Sequence, residues 1–476
     1  MVCNNISIAR TVFISNMKRI KALRFSPSLF SLLVIVLIAI RFVYLLHTPV
    51  PYVGNDGYGY YGIGISILKS DAIFLDDSRP PVYPVFINII MKLTGNFQAE
   101  PYSPQFYSGI RVVILTQMIL SVIGYLMLYQ ICRKIGLNQT VSFLISLLAG
   151  CNIMTLCMET TLMTESLTLF LLITIIALIL WILQKPSPAP FIGLTVVYLL
   201  TMFTKPLYAA LPFIFTPVIV FFYRKTPKVW IYSSIHIVIV SIFIIGYCVL
   251  NNSINHYPGL SRIGDYDLLG QILHYNLPID SSITNHPFYY DKITSYRREG
   301  GDPMPFKFLV YADPYIYENK ERLNEIRDFN KTIIFNNLPI FVSKSLGQTP
   351  QAFLAGNDFY EVVSANSPSI TQKIFQPLFY FFKTTLWLTF IVIPSYILIL
   401  VRFLRKQSFL YTAYMVIGTL VIFQILSTVF FLYYDFGRIL SVTQPFLYLI
   451  SFVSWVYLIK YMSNSLGWKF SRRRVE

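Results

Sequence analysis

Charge is what this sequence has least of. Only 13 % of its residues are Asp, Glu, Lys or Arg, against roughly 25 % in soluble domains. A soluble chain of 476 residues would split into several domains, each needing a charged surface. That much charge is not there, and a hydrophobic share of 55 % excludes disorder and solvated coiled coils as well. Cysteine is scarce too. Cys3, Cys132, Cys151, Cys157 and Cys248 form no CxxC pair, so they read as small hydrophobes and not as a disulfide scaffold or metal site. The histidines (His47, His236, His256, His274, His286) show no ligand spacing. There is no P-loop, no GxGxxG opening a helix, no GxSxG and no HExxH, which leaves nucleotide-driven chemistry without support.

What is present is a series of apolar runs, each near the 20 residues needed to cross a bilayer. They fall near 28–47, 110–131, 139–158, 164–184, 189–204, 206–223, 229–250, 376–401, 409–432 and 438–460. The expected fold class is all-α, a polytopic membrane protein with about ten transmembrane helices. The first run lacks a small-residue cleavage site and reads as a retained helix. Two stretches are polar enough to leave the membrane, 48–109 and 251–372. The first contains two short apolar segments, 58–69 and 80–93, that suit interfacial helices. The second suits a small outer domain, with an amphipathic helix over 315–335. This divides the chain into an N-terminal transmembrane module (1–250), an outer domain (251–375) and C-terminal transmembrane helices with a basic tail (376–476).

Orientation follows from Lys and Arg in the short loops. Arg10, Lys18, Arg19, Lys21 and Arg24 precede the first run. Further basic turns lie at Arg133–Lys134, Lys185, Arg224–Lys228 and Arg402–Lys406, and the tail carries Lys469 and Arg472 to Arg474. With ten spans all of these fall on one side. About 19 of the 38 basic residues then lie on that side with a single acid, Glu476. The other 19 basic and 21 acidic residues sum to −2. The net charge of +16 is thus a topological signal and implies no nucleic acid. The expected location is a bacterial inner membrane, with both termini cytoplasmic and the active site on the outer face.

The first outer loop carries the densest chemistry. Asp56 lies about nine residues beyond the first run, among Gly and Tyr. It is either a solvated Asn-Asp-Gly turn or a carboxylate able to take a proton from a hydroxyl or hold a divalent metal. Tyr58, Tyr60 and Tyr61 offer ring faces to a sugar. Arg79, fixed by the prolines after it, either meets a phosphate at headgroup level or snorkels. Glu159 and Glu165 flank the next outer turn, where an acid either faces water or serves a site. Glu165 also suits the start of a helix. Lys205 and Arg438 are further cations at outer helix ends, suited to a lipid phosphate, although Arg438 could simply pair with Asp435 three residues earlier.

With NDGYGYYGIGISILKS, RPPVYPVF, MTESLTLFLL, FTKPLYAALPF and DFGRILSVTQPFLYL in this order, the chain resembles the GT-C superfamily of integral-membrane glycosyltransferases. It is most similar to the branch of protein mannosyltransferases and lipid A aminoarabinose transferase. The resemblance implies that a sugar arrives on a polyprenyl phosphate such as undecaprenyl phosphate. An acceptor hydroxyl on lipopolysaccharide, O-antigen, another envelope glycan or a lipid would then displace the lipid phosphate. It implies Asp56 as base or metal ligand, Glu159 or Glu165 as the second acid, and Arg79, Lys205 and Arg438 as phosphate ligands. No cofactor is implied beyond a divalent metal ion. The chain departs from the mannosyltransferases, whose first loop shows Asp-Glu, since Gly57 follows Asp56; the Asp76–Asp77 pair comes later. Two other readings stand beside this one. An O-antigen polymerase or ligase would use Arg297, Arg298 and His274 or His286 in the late loop. A lipid-linked sugar flippase would place polar groups along a path within the spans.

Overall fold

Apolar runs in lipid can satisfy their backbone only from within, so they fold as helices. The computed structural model describes residues 27–70, 74–280, 286–354, 359–365, 367–405, 408–433 and 436–465. Cys3, Asp435 and the basic N-terminal and C-terminal residues lie outside these. The described residues contain no strand, only an isolated bridge between Tyr52 and Thr161.

The first half runs α1 (Pro27–His47), α2 (Asn55–Lys69), α3 (Val82–Leu93), α4 (Pro104–Lys134), α5 (Gln139–Gly150), α6 (Ile153–Glu159), α7 (Glu165–Gln184), α8 (Pro188–Thr204), a 3-10 turn (Pro206–Ala210), α9 (Leu211–Phe222) and α10 (Pro227–Asn255). The polar stretch then forms α11 (Ile263–His274), α12 (Pro287–Arg298), α13 (Pro305–Ala312), α14 (Lys320–Asn336) and α15 (Leu338–Gly347). Two short helices follow, α16 (Thr349–Leu354) and α17 (Phe359–Ser364). The chain closes with α18 (Ser369–Thr385), α19 (Val392–Arg405), α20 (Phe409–Phe431), α21 (Phe436–Ser441) and α22 (Gln444–Ser465).

The protein is a multi-pass helical membrane protein, but the expected count of ten spans is not reached by length and composition. Among the described residues six helices are long and apolar enough to cross, α18 and α19 counting together as one of them. A seventh crossing exists if α5 and α6, bent by 55°, act as one. The other runs are helical but interrupted. Pro206 drives the residue before it out of the helical region, so α8 stops after 17 residues with Lys205 extended (φ −146°, ψ 103°).

Helix α4 is long enough, at 31 residues or about 46 Å, to project beyond a hydrocarbon core of about 30 Å. Ser103 caps its start by accepting from the Phe106 amide, and Arg133 and Lys134 sit at its C-terminal end, as the helix dipole favours. The projecting end carries Phe106 and Ile110, which form a core with Tyr61, Tyr83, Ile87 and Met91. Helices α2 and α3 therefore lie across the bundle end. The segment over 58–69 begins earlier than the sequence suggests, because Asn55, Asp56 and Gly57 already form the first helical turn. Helices α2 and α3 touch where Gly64 has no side chain. A Cβ there would come within 2.0 Å of Asn88 Nδ2 and 2.3 Å of the Pro84 carbonyl.

The polar stretch has a core of its own, including Leu269, Tyr289, Phe308, Ile316, Ile326 and Phe329. The expected amphipathic helix is α14, which buries Leu323, Ile326, Phe329 and Ile333 at helical spacing. The unit docks on the C-terminal end of α20 through Gln271, whose Nε2 donates to the carbonyls of Val429 (3.0 Å) and Leu432 (2.9 Å).

Gly64→Ala is expected to lower stability by about 1–3 kcal/mol through overpacking. Gly62→Ala, where a Cβ meets nothing within 4 Å, serves as the control. Thermal unfolding of the two variants in the same detergent checks this, and equal midpoints would refute the close approach of α2 and α3.

Candidate active site

Five of the charged residues singled out in the sequence meet at one end of the bundle. Asp56 lies in the first turn of α2, where an acid is favoured by the helix N-terminus. Its Oδ1 accepts from Arg79 Nη2 at 2.5 Å, and its Oδ2 lies 3.5 Å from Arg438 Nη1. Arg79 reaches it because the loop after α2 folds back over that helix. The guanidinium lies over the Tyr60 ring, 4.9 Å from its centroid, and occupies the space a side chain at Gly59 would need. A Cβ there would fall 2.0 Å from Nη1. Burial, then the Asp56 carboxylate, push the Tyr60 hydroxyl up to about 12.

Glu165 opens α7 and is almost wholly buried. Its Oε1 takes Lys205 Nζ at 3.1 Å and lies 3.5 Å from Arg438 Nε; its Oε2 accepts from the Thr164 hydroxyl at 3.3 Å. Lys205 is delivered by the proline break after α8. Arg438 sits on α21, a helix anchored from inside the membrane. Gln424 of α20 donates to the Ile439 carbonyl (3.4 Å) and accepts from the Tyr208 hydroxyl (2.7 Å). The turn leading into Glu165 is held likewise. Gln117 of α4 donates to the carbonyls of Glu159 (3.1 Å) and Thr161 (2.9 Å), and accepts from Tyr83 at 2.7 Å.

These five residues line a cavity of about 560 Å³, a size typical of small-molecule sites. Its outer wall comes from the polar unit: Ser261, Tyr266, Asp267, Phe306, Tyr317 and Lys320. Asp76, Asp77 and Ser78 complete it. Asp77 is neutralised by Arg262 (Nε to Oδ2, 2.9 Å), a fully buried arginine whose backbone N–H also donates to the Asp77 carbonyl at 2.8 Å. Asp76 is different. Its Oδ1 accepts from the backbone N–H groups of Ser78 (2.9 Å) and Arg79 (2.7 Å), while burial raises its carboxyl above the ordinary value.

Three sequence candidates go elsewhere. Positions 56 and 60 share one face of α2, whereas 58 and 61 share another. Tyr58 therefore stacks on Phe106 (5.7 Å) and Tyr61 meets it edge-on (5.0 Å) while donating to the Ala99 carbonyl. Of the three tyrosines only Tyr60 lines the cavity. Glu159 does not line it either. It is buried against Arg41 of α1 at 2.7 Å, and Arg41 also donates to the carbonyls of Leu37 (2.9 Å) and Gly150 (3.3 Å). The late-loop residues lie away from the cavity. Arg297 donates to the carbonyls of Ile272 (2.9 Å) and Leu277 (3.0 Å) near the C-terminal end of α11, and none of Arg297, Arg298, His274 or His286 lines the cavity.

The arrangement does not fit a metal ion. Both Asp56 oxygens face arginines, and no group of three His, Cys, Asp or Glu side chains suited to a metal occurs among the described residues.

No family model matches this sequence, and no curated protein matches it. Among solved structures the chain is similar to the apo oligosaccharyltransferase of Archaeoglobus fulgidus. The identity is 13 %, covering 94 % of this chain and 53 % of that one, with a TM-score of 0.44. It is also similar to the archaeal oligosaccharyltransferase AglB from Archaeoglobus fulgidus in complex with an inhibitory peptide and a dolichol-phosphate. There the identity is 13 %, the coverage 91 % and 51 %, and the TM-score 0.41. The chain spans about half the length of these structures.

Removing one partner of a buried ion pair leaves the other charge uncompensated, at a cost of about 3–5 kcal/mol. Arg41→Ala is therefore expected to lower stability by that amount, and Arg41→Met with Glu159→Leu to recover most of it. Unfolding midpoints in detergent check the difference; an Arg41→Ala protein as stable as the parent would refute the pairing.

Proposed function

We infer that this chain is an integral-membrane glycosyltransferase of the GT-C kind. It transfers a sugar from a polyprenyl phosphate, such as undecaprenyl phosphate, to a hydroxyl of a cell-envelope glycan or lipid, in the manner of lipopolysaccharide and O-antigen modification. One observation carries this reading. Arg79, Lys205 and Arg438 converge at the bundle end of the cavity, where the carboxylates they pair with are Asp56 and Glu165. Within this paired group cations outnumber anions by one, so an incoming anion is favoured at this end of the cavity, although the lining as a whole carries more carboxylates than cations.

The reaction needs that charge. The acceptor oxygen attacks the anomeric carbon and the bond from that carbon to the phosphate oxygen breaks. The electron pair leaves on the phosphate. Cations already aimed at the place where charge develops stabilise the transition state without reorganising. A leaving group of this kind needs no strong general acid. Asp56 and Glu165 keep the cations in place between turnovers. The contacts of Arg438 with both carboxylates are long, at 3.5 Å each, so a phosphate oxygen offers it a shorter and stronger partner. The site opens at the bundle end opposite the basic turns, which is the outer face by the charge rule.

The test is to incubate the purified protein with a panel of polyprenyl-phosphate sugars and measure released polyprenyl phosphate. Release is expected with at least one donor, and none with any donor would sink the reading. Arg438→Gln is expected to lower the rate by about 10²–10³-fold and to weaken undecaprenyl phosphate binding. Lys205→Ala is expected to act in the same direction. An Arg438→Gln enzyme with the parent's rate would remove that residue from the site.

A further inference from the structure

The two walls of the cavity differ in chemistry. The bundle wall presents arginine and lysine at helix ends. The wall built by the polar unit presents rings: Phe306 and Tyr317 are 41 % and 47 % exposed, and both line the cavity. Tyr266 backs Phe306 edge-on, with centroids 5.5 Å apart and planes at 70°. Asp76 lies where the two walls meet.

We propose that the outer wall is the acceptor site and that the acceptor is a sugar: Phe306 and Tyr317 take the face of its ring, and Asp76 takes the proton of its attacking hydroxyl. This rests on the glycosyl-transfer reading above.

Three observations favour it. A sugar offers an apolar C–H face and a rim of hydroxyls. It therefore calls for exposed rings beside carboxylates and hydroxyls, and Asp267 and Ser261 lie on the same wall as the rings. Ile263 and Leu323 on that wall can pack on the C–H face of a sugar, whereas a hydrocarbon acceptor would leave the wall's carboxylate and hydroxyl without partners. The lining also holds five carboxylates (Asp56, Asp76, Asp77, Glu165, Asp267) against four cations (Arg79, Lys205, Arg438, Lys320). Once a phosphate has taken the bundle cations, what remains suits a neutral partner better than an anionic one.

Asp76 suits the proton better than Asp56. Both oxygens of Asp56 face guanidinium groups, so neither is turned to an incoming hydroxyl. Asp76 has Oδ1 fixed by two backbone N–H groups, and its Oδ2 accepts no hydrogen bond from the described residues. That leaves one oriented oxygen open to the cavity. Burial raises this carboxyl above its ordinary value, which makes it a stronger base than an exposed aspartate. In the step itself, the sugar O–H bond breaks as its oxygen bonds the anomeric carbon. The proton goes to Asp76 Oδ2, and the bond to the lipid phosphate breaks with its electrons on the phosphate. Asp76 then returns the proton to solvent.

The test uses the full-length protein in nanodiscs and a donor it turns over. Three acceptor classes are compared: methyl glycosides and short oligosaccharides, a Ser/Thr peptide, and a long-chain alcohol. Transfer to the sugars is expected. Asp76→Asn should cut kcat by about 10²–10⁴-fold while keeping the parent's affinity for undecaprenyl phosphate. It should also abolish the acid limb of the rate profile, in which activity falls as pH drops through the raised Asp76 value and protonation blocks it. Tyr317→Ala and Phe306→Ala should each raise the acceptor KM by about 2- to 12-fold, more than they lower kcat. Preferred transfer to peptide or alcohol, an Asp76→Asn enzyme that keeps its rate or its acid limb, or ring variants with the parent's KM would each overturn the proposal. A parent protein that neither binds undecaprenyl phosphate nor releases it would overturn the donor reading, and this one with it.

Discussion

The contact on which the site depends is Arg438 held between Asp56 and Glu165. Those three residues come from α21, α2 and α7, far apart in the chain. Charges near the membrane are costly unless paired, so the pairing constrains how these helices meet. Arg79 and Lys205 then attach the returning loop and the end of α8 to the same two carboxylates. A change in any one of the five charges alters the partners available to the others, and the cavity's potential is a property of the set.

Behind the charges stands a set of amides. Gln117, Gln424 and Asn152 are fully buried, and each serves a break in a helix. Gln117 ties the turn before α7 and Gln424 ties α21. Asn152 accepts from the Met154 amide at 2.9 Å at the bend between α5 and α6, and donates to Gln444 at the start of α22. Buried backbone groups freed by a break need partners, and in lipid an amide side chain can supply them. The breaks are what bring helix ends to the cavity.

Much of this was legible in sequence. Helical runs, polar stretches and basic turns follow from composition and bilayer thickness. The residues Asp56, Glu165, Arg79, Lys205 and Arg438 stood out as ionisable groups at helix ends, and the structure brings them together. What sequence reading blurred has physical causes. Tyr58 and Tyr61 separate from Tyr60 because helical spacing puts 58 and 61 on one face of α2 and 60, with 56, on another. Glu159 looked like Glu165 because both flank one turn; its partner, Arg41, stood in view inside an otherwise apolar run. Gly59 and Gly64 carried a signal of close approach that the turn reading hid. The outer wall was not readable, because Tyr266, Phe306 and Tyr317 reach the cavity through the fold of a unit without recognisable motifs.

The attachment of that unit has a consequence for how such a protein can change. Its core is separate from that of the bundle. It is fastened by polar links, Arg262 and Ser261 to the loop at 77–78, Asn255 to the Leu75 carbonyl and Gln271 to the end of α20, and by Phe341 packing on Phe430 of α20 with ring centroids 6.2 Å apart. Side chains elsewhere on its surface are free to vary without disturbing the helices beneath. The cavity thus takes one wall from each of two separately packed bodies, so substitutions in residues 263–341 that keep these links alter one wall and leave the packing of the bundle as it is.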